Sequence, residues 1–360
     1  MKPPSCVSRA LVALLVALAA LAGCKGLPHP KGVPRKYSAP EVPQAILDAD
    51  ADLRAGRNDA AFARSRIARK VRGLPAEQRS ELESLLQRSA ERYIAELSAP
   101  GSSPKPLKAI FDLDLPMPQA VAAGEGAARL YYARGKRFKT FRFIKRIDKK
   151  HPHHYSKVGI GSLLAAVGFD LASDPRRYGL FFKYRNSAPQ VLEYLVINYP
   201  NHPRCAEAYD ALAQIYEEQG LWEDAIARRE DLLLWHSGSP YVALSKARIP
   251  HLRLRSLASP EYDHTALERA LAELDAWLAR YPRHELRETV EVDRLDCLRR
   301  LTDAHMIVAR FYKRVRNPAG AEYHARRAVD FARIAQYPDQ LEEARDLLEG
   351  VVAAKQEQSS

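Results

Sequence analysis

Apolar residues recur every three or four positions through most of this chain and almost nowhere alternate with polar ones. A spacing of three to four puts apolar side chains on one face of a helix, whereas a half-buried strand needs a spacing of two. Ile46 to Arg54, Ala60 to Val71 and Glu77 to Leu97 are rich in Ala, Leu, Arg and Glu, which lose little on entering a helix. Breaks fall at LSAPGSSPKP (Leu97 to Pro106) and LDLPMP (Leu113 to Pro118). Helical patterning then continues to the end, where AAKQEQSS should fray. Two stretches depart from this pattern. An unbroken apolar run covers Ala10 to Ala22, and Gly26 to Pro43 reads GLPHPKGVPRKYSAPEVP, too rich in Pro and Gly for a stable helix or central strand. The pattern predicts an all-α protein.

The helical stretches are organised as a recurring pair that ends in a short proline signal. The signals are KHPHH at Pro152, NYPNHP at Pro200 and Pro203, RYPRH at Pro282 and QYPDQ at Pro338, with a related SGSP ending at Pro240. The clearest copy has Tyr209, Leu212, Ala213, Tyr216, Gly220, Trp222 and Ala225. This order resembles the large, large, small, aromatic, glycine, aromatic and alanine positions of the tetratricopeptide repeat. Val308, Ala309, Tyr312 and Ala321 form a second copy, and Ala128, Tyr131 and Gly135 a third. Ala270 with Leu274 matches a second helix, and LRAGRNDAAFA (Leu53 to Ala63) a degenerate first repeat. One repeat cannot bury its apolar face alone, so copies must stack. The expected architecture is an α-solenoid of tetratricopeptide-like helix pairs over residues 116–350, after a helical extension at 44–115 and before a flexible tail at 351–360. Such surfaces bind peptides and proteins.

At the start, Lys2 and Arg9 precede the apolar run, which is about two-thirds of the ~20 residues a membrane-spanning helix needs. A charged start, a short apolar core and small residues at its end describe a secretory signal, here residues 1–23. Its last residues with the next, Leu21-Ala22-Gly23-Cys24, resemble a bacterial lipobox. That resemblance implies diacylglycerol on Cys24, cleavage after Gly23 and acylation of the new amino terminus. Several acyl chains on one residue anchor a protein stably where one would not. Residues 24–43 then become the lipidated cysteine and an extended tether. Lys25 stands where an aspartate often signals inner-membrane retention, which favours the outer membrane. Cys6 leaves with the signal, and Cys205 and Cys297 fall in separate helices, so two buried thiols are expected.

Loss of Lys2 and Arg9 leaves 54 basic against 44 acidic residues, a net charge of +10. Outside the cytoplasm this charge suits anionic lipid, acidic wall polymers or acidic protein surfaces, and no nucleic-acid partner is expected. The most charged stretch is RGKRFKTFRFIKRIDKKHPHH (Arg134 to His154). At 100° per residue, Phe141, Phe143, Ile144 and Ile147 share one side, and Lys139, Arg142, Lys145, Arg146 and Lys149 the other. The stripe reads either as a solvated face or as a contact for an anionic partner through Lys139, Arg142, Lys145 and Arg146. His151, His153 and His154 lack a Cys or carboxylate at helical ligand spacing, so no metal is expected there. GIGS (Gly159 to Ser162) lacks the Gly-Lys-Ser/Thr ending of a P-loop and reads as a helix-packing segment. No Gly-x-Ser-x-Gly or His-Glu-x-x-His occurs. Neither an enzymatic activity nor a cofactor is expected.

From about Ser187 the chain resembles the BamD family, lipoproteins of the outer-membrane β-barrel assembly machinery. The segments that carry the resemblance are Ser187 to Ile226, Ala266 to Glu285 and, most strongly, LRRLTDAHMIVARFYKR (Leu298 to Arg314) followed by AEYHARRAV. It is strongest over 187–338 and extends loosely back to Lys136. Arg229 and Pro318 depart from it, standing where the repeat usually has aromatics. The resemblance implies a long helix crossing from one repeat into the next, with Ala309-Arg310-Phe311-Tyr312 near its end. It also implies a periplasm-facing, outer-membrane scaffold whose partners are other envelope proteins: the barrel-assembly subunit and unfolded barrel precursors. The alternatives are a pilotin-like or other cell-envelope repeat lipoprotein serving another machine, and a wall-modifying enzyme with a helical superstructure.

Overall fold

The computed structural model describes residues 27–154, 157–173, 187–257 and 264–359. Cys24, the signal and the start of the tether lie outside them. Contacts divide the chain into two compact units, residues 1–171 and 172–360. All regular structure in both is helical, and no strand occurs among the described residues. No described helix is long and apolar enough to cross a membrane.

The first unit contains α1 (Val42–Arg54), α2 (Asn58–Ala68), α3 (Ala76–Leu97), α4 (Pro104–Phe111), α5 (Met117–Ala133), α6 (Arg137–Lys150) and α7 (Lys157–Ala172). The second contains α8 (Ala188–Asn198), α9 (Cys205–Glu218), α10 (Trp222–Trp235), α11 (Val242–Ser256), α12 (His264–Arg280), α13 (Arg287–Arg314), α14 (Pro318–Ala335) and α15 (Pro338–Ser359). Consecutive helices pack on one another through most of each unit, the arrangement of an α-solenoid of helix pairs. The helical extension shares the first unit with α5 and α6, and α3 packs directly on α5.

Two turn geometries alternate and define the pairs. Within a pair, one residue at positive φ ends the first helix: Gly56 at +74°, Gly135 at +67° and Gly220 at +72°. The amide after each glycine reaches back five residues, Arg57 to Asp52, Lys136 to Tyr131 and Leu221 to Tyr216, all at 2.9–3.0 Å. This is the Schellman closure, in which glycine avoids the Cβ clash of the left-handed conformation. Arg316, at φ +56°, takes the same place between α13 and α14, with Asn317 N–H bonded to the Tyr312 carbonyl at 2.9 Å. Between pairs the chain uses the proline-type signal. Amide-to-carbonyl bonds step by three through Tyr199, His202 and Cys205, through His236, Ser239 and Val242, and through Tyr281, His284 and Arg287. His151 and His154 begin the same ladder.

Two expectations need revision. QYPDQ was grouped with the proline signals but folds as the other turn. Gln336 sits at φ +58° and the Tyr337 amide reaches back to Ala332, so Pro338 opens a helix instead of bridging repeats. Helix begins inside the stretch expected as an extended tether, residues 24–43: Pro40 and Pro43 lie in helix first turns, where a missing N–H costs nothing. Part of what precedes them is also docked. Val33 is buried against Ala60, Ala63 and Ile67, and Arg64 donates to the Gly32 carbonyl at 3.1 Å.

The predicted packing residues are where the repeat needs them. Ala213, Leu212, Ala225, Ala270, Leu274 and Ala309 have no exposed surface. Cys205 and Cys297 are buried free thiols. Their sulfurs donate to the Tyr199 and Leu267 carbonyls, and burial pushes both thiols up, Cys297 to about 12. They pack and do not react.

Candidate functional site

The stripe on α6 has the two faces its sequence predicts. Phe141, Phe143, Ile144 and Ile147 are buried, while Lys139, Arg142, Lys145 and Arg146 are exposed. The four basic residues nonetheless do different things. Arg146 pairs with Asp112 and lies over the Phe111 ring at 5.3 Å. Beside it, the Lys150 ammonium donates to the Phe111 carbonyl at 2.6 Å. Both therefore tie α6 to the end of α4, where cations favourably meet the free carbonyls of a helix terminus. Arg142 stacks over Phe138, and Lys145 over Phe141, at 5.0 and 5.6 Å. Lys139 and Arg142 form no ion pair among the described residues. They are the members of the stripe that remain open to a partner.

A second basic surface was not singled out in the sequence. His29, Arg35, Lys36, Arg66 and Lys70 line one hollow of about 470 Å³ with Tyr37, Ile67 and Val71. Among the described residues no carboxylate lines it, and the buried Nε of Arg66 has no hydrogen-bond partner. Such a hollow attracts an anion. Its lining begins five residues after Cys24.

In the second unit, α10, α11 and α12 enclose a groove of about 670 Å³. Leu233, Ile249, Ala276, Trp277 and Tyr281 supply its apolar lining. The Trp277 indole N–H donates to the Ala243 carbonyl at 2.8 Å, which leaves the ring apolar toward the groove. Lys246, Arg269 and Arg280 line it with Arg253, which is bonded to Glu230 and Glu273. Apolar lining edged with charge suits a peptide or a protein side chain.

Two polar centres lie inside this unit. The first is Arg229, only 1% exposed. It pairs with Asp210 at 3.0 Å and with Glu217 at 2.7 Å, and Arg248 reaches the other Glu217 oxygen at 2.5 Å. Arg229 thus fills the aromatic position of the repeat with a guanidinium held by α9. Burial pushes the Asp210 carboxyl up, more than its one arginine pulls it down. Burial also acts upward on Glu217, but Arg229 and Arg248 together outweigh it and hold that carboxyl low.

The second centre gathers His264, His305 and His324 from α12, α13 and α14, with one ring nitrogen from each within 4.8 Å of the others. His305 and His324 meet Nδ1 to Nδ1 at 2.9 Å. Phe331 stacks on His305 at 5.5 Å and Tyr312 on His324 at 5.6 Å. Gly320 makes room for Tyr312, since a Cβ there would stand 3.0 Å from the tyrosine ring. Burial, with His264, His324 and Arg327 nearby, pushes His305 down to about 3; burial lowers His324 as well. Burial thus favours the neutral form of both rings.

The histidines of the KHPHH signal, by contrast, separate. The buried His154 bonds Asp148 at 2.7 Å, His151 packs edge-on to Phe111, and His153 is exposed. No protein-family model matches the chain, and no curated protein matches it.

Proposed function

We propose that this protein is a non-enzymatic scaffold, anchored in the outer membrane through lipid on Cys24 and facing the periplasm. In this reading it resembles BamD in role and takes part in the assembly of outer-membrane β-barrel proteins. The observation that carries the proposal is the groove between α10, α11 and α12, part of a helix-pair repeat and inside the stretch most similar to that family. A preformed helical surface loses little conformational freedom on binding, so a modest contact area suffices. The basic hollow and the exposed Lys139 and Arg142 support a position beside anionic headgroups, each cation adding about 1 kcal/mol of attraction near an anionic surface.

The test is purification of the full-length chain from detergent-extracted membranes, followed by identification of its partners and of its mature amino terminus. The expected result is a triacylated Cys24 and retention of the barrel-assembly subunit. Lys246→Glu with Arg269→Glu should weaken that retention without changing helicity. An unmodified terminus, or a pilus or wall complex in place of the barrel subunit, would overturn the reading.

A further inference from the structure

We propose that His264, His305 and His324 bind a borderline transition-metal cation, Zn²⁺ first among them, which ties α12, α13 and α14 together. The three residues are 41 and 19 positions apart in the chain, yet one nitrogen of each converges within 4.8 Å. Convergence of donors from separate elements is what a metal centre requires.

The polar bonding of the cluster is incomplete without a cation. The single His305–His324 contact uses one nitrogen of each ring. Nε2 of His305 and Nε2 of His264 are both buried without a hydrogen-bond partner among the described residues. An imidazole ring has two nitrogens, and one that carries no proton offers its lone pair to a metal cation. Buried polar atoms in native proteins are otherwise nearly always satisfied.

The ring planes are also held in advance. His305 lies between Phe331, stacked at an interplanar angle of 23°, and His264, edge-on at 80°. His324 lies flat on Tyr312 at 18° and edge-on to Tyr323 at 88°. Packing of this kind limits what the donors lose in freedom on binding. Arg327, whose charge acts on His305, is matched by Glu268, to which it donates at 3.2 Å. Glu268 lies one helical turn after His264.

An all-imidazole donor set selects Zn²⁺, Cu²⁺, Ni²⁺ or Co²⁺ over Mg²⁺ and Ca²⁺. Three protein ligands leave a fourth position for water. With Zn–N bonds of about 2.0–2.1 Å, tetrahedral ligands stand about 3.4 Å apart. The converging nitrogens, all within 4.8 Å of one another, must therefore close by no more than about 1.4 Å. Side-chain rotations of the partly exposed His264 and His324 can supply these shifts.

The experiment uses full-length protein in detergent, without a polyhistidine tag, stripped by a chelator and dialysed against Zn²⁺ or Co²⁺. The expected result is about one ion per chain, a visible ligand-field band for Co²⁺ and a melting midpoint raised by Zn²⁺. His264→Ala and His324→Ala should each weaken Zn²⁺ binding by at least about tenfold, with helicity kept, while His153→Ala changes nothing. The partly exposed pair keeps the test sound should His305→Leu fail to fold. Absence of a stoichiometric ion from the parent protein would overturn the proposal. So would binding that survives His264→Ala and His324→Ala unchanged; the cluster would then be a hydrogen-bonded imidazole group of the core.

Discussion

The two polar centres of the second unit handle burial in opposite ways. Around Arg229, each charged group meets an opposite charge: Asp210 and Glu217 take the guanidinium, and Arg248 takes the remaining Glu217 oxygen. The histidine cluster brings three like groups together and leaves two buried nitrogens without partners among the described residues. The first centre is closed and explains itself as structure. The second is open, and its incompleteness points to something that fills it. Complete bonding, more than polarity or burial alone, separates a structural polar core from a binding site.

The sharpest way to break this contrast is Arg229→Met, which strands the buried Asp210 carboxylate and leaves Glu217 with Arg248 alone. It should cost about 3–5 kcal/mol in urea unfolding. Asp210→Met added to it should recover much of that loss, since removing both partners is far cheaper than removing one. A loss below about 1 kcal/mol for the single variant would mean that water reaches the network and that the centre is not closed.

Glu217→Gln probes the same network by pH. The folded carboxyl lies below its ordinary value of 4.5, so its contribution is present above 4.5 and is lost as pH falls through the folded value. The parent should exceed the variant by about 1–3 kcal/mol at neutral pH, with the gap shrinking on acidification. A gap that grows below pH 4.5 would reverse the assigned shift.

The open centre should respond less when no metal is supplied. His305→Leu removes an unpartnered nitrogen together with a weak contact. In chelated protein it should cost about 1 kcal/mol or less. A loss as large as that of Arg229→Met would show the imidazoles to be a self-sufficient network.

Charges at the surface set the lower end of the scale. Lys139→Gln with Arg142→Gln should move stability by no more than about 0.5 kcal/mol. The same pair should weaken association with anionic vesicles, and added salt should mimic the change. Binding that is indifferent to ionic strength would return these residues to a solvated face.

Sequence showed the fold well because its signals are local. Gly135 and Gly220 mark the turns within pairs, alanines at 213, 225 and 309 mark the crossings, and the α6 stripe follows from one residue per 100°. Where another residue takes glycine's conformation the signal fails, as at Arg316 and Gln336. The Arg229 network left a trace that could have been read. Asp210 and Glu217 are seven apart, hence on one face of α9, in a repeat whose partner helix carries an arginine at an aromatic position. The histidine centre left none. Its ligands come from three helices, and helix periodicity relates only residues of the same helix. His151, His153 and His154 stand close in the sequence yet have different surroundings in the fold.

The proposed role is tested most directly by depleting the protein and quantifying the envelope proteome. A scaffold for barrel assembly predicts that outer-membrane β-barrel proteins fall together while other lipoproteins hold their level. Barrel proteins at their normal abundance, with a pilus or wall function lost instead, would contradict it.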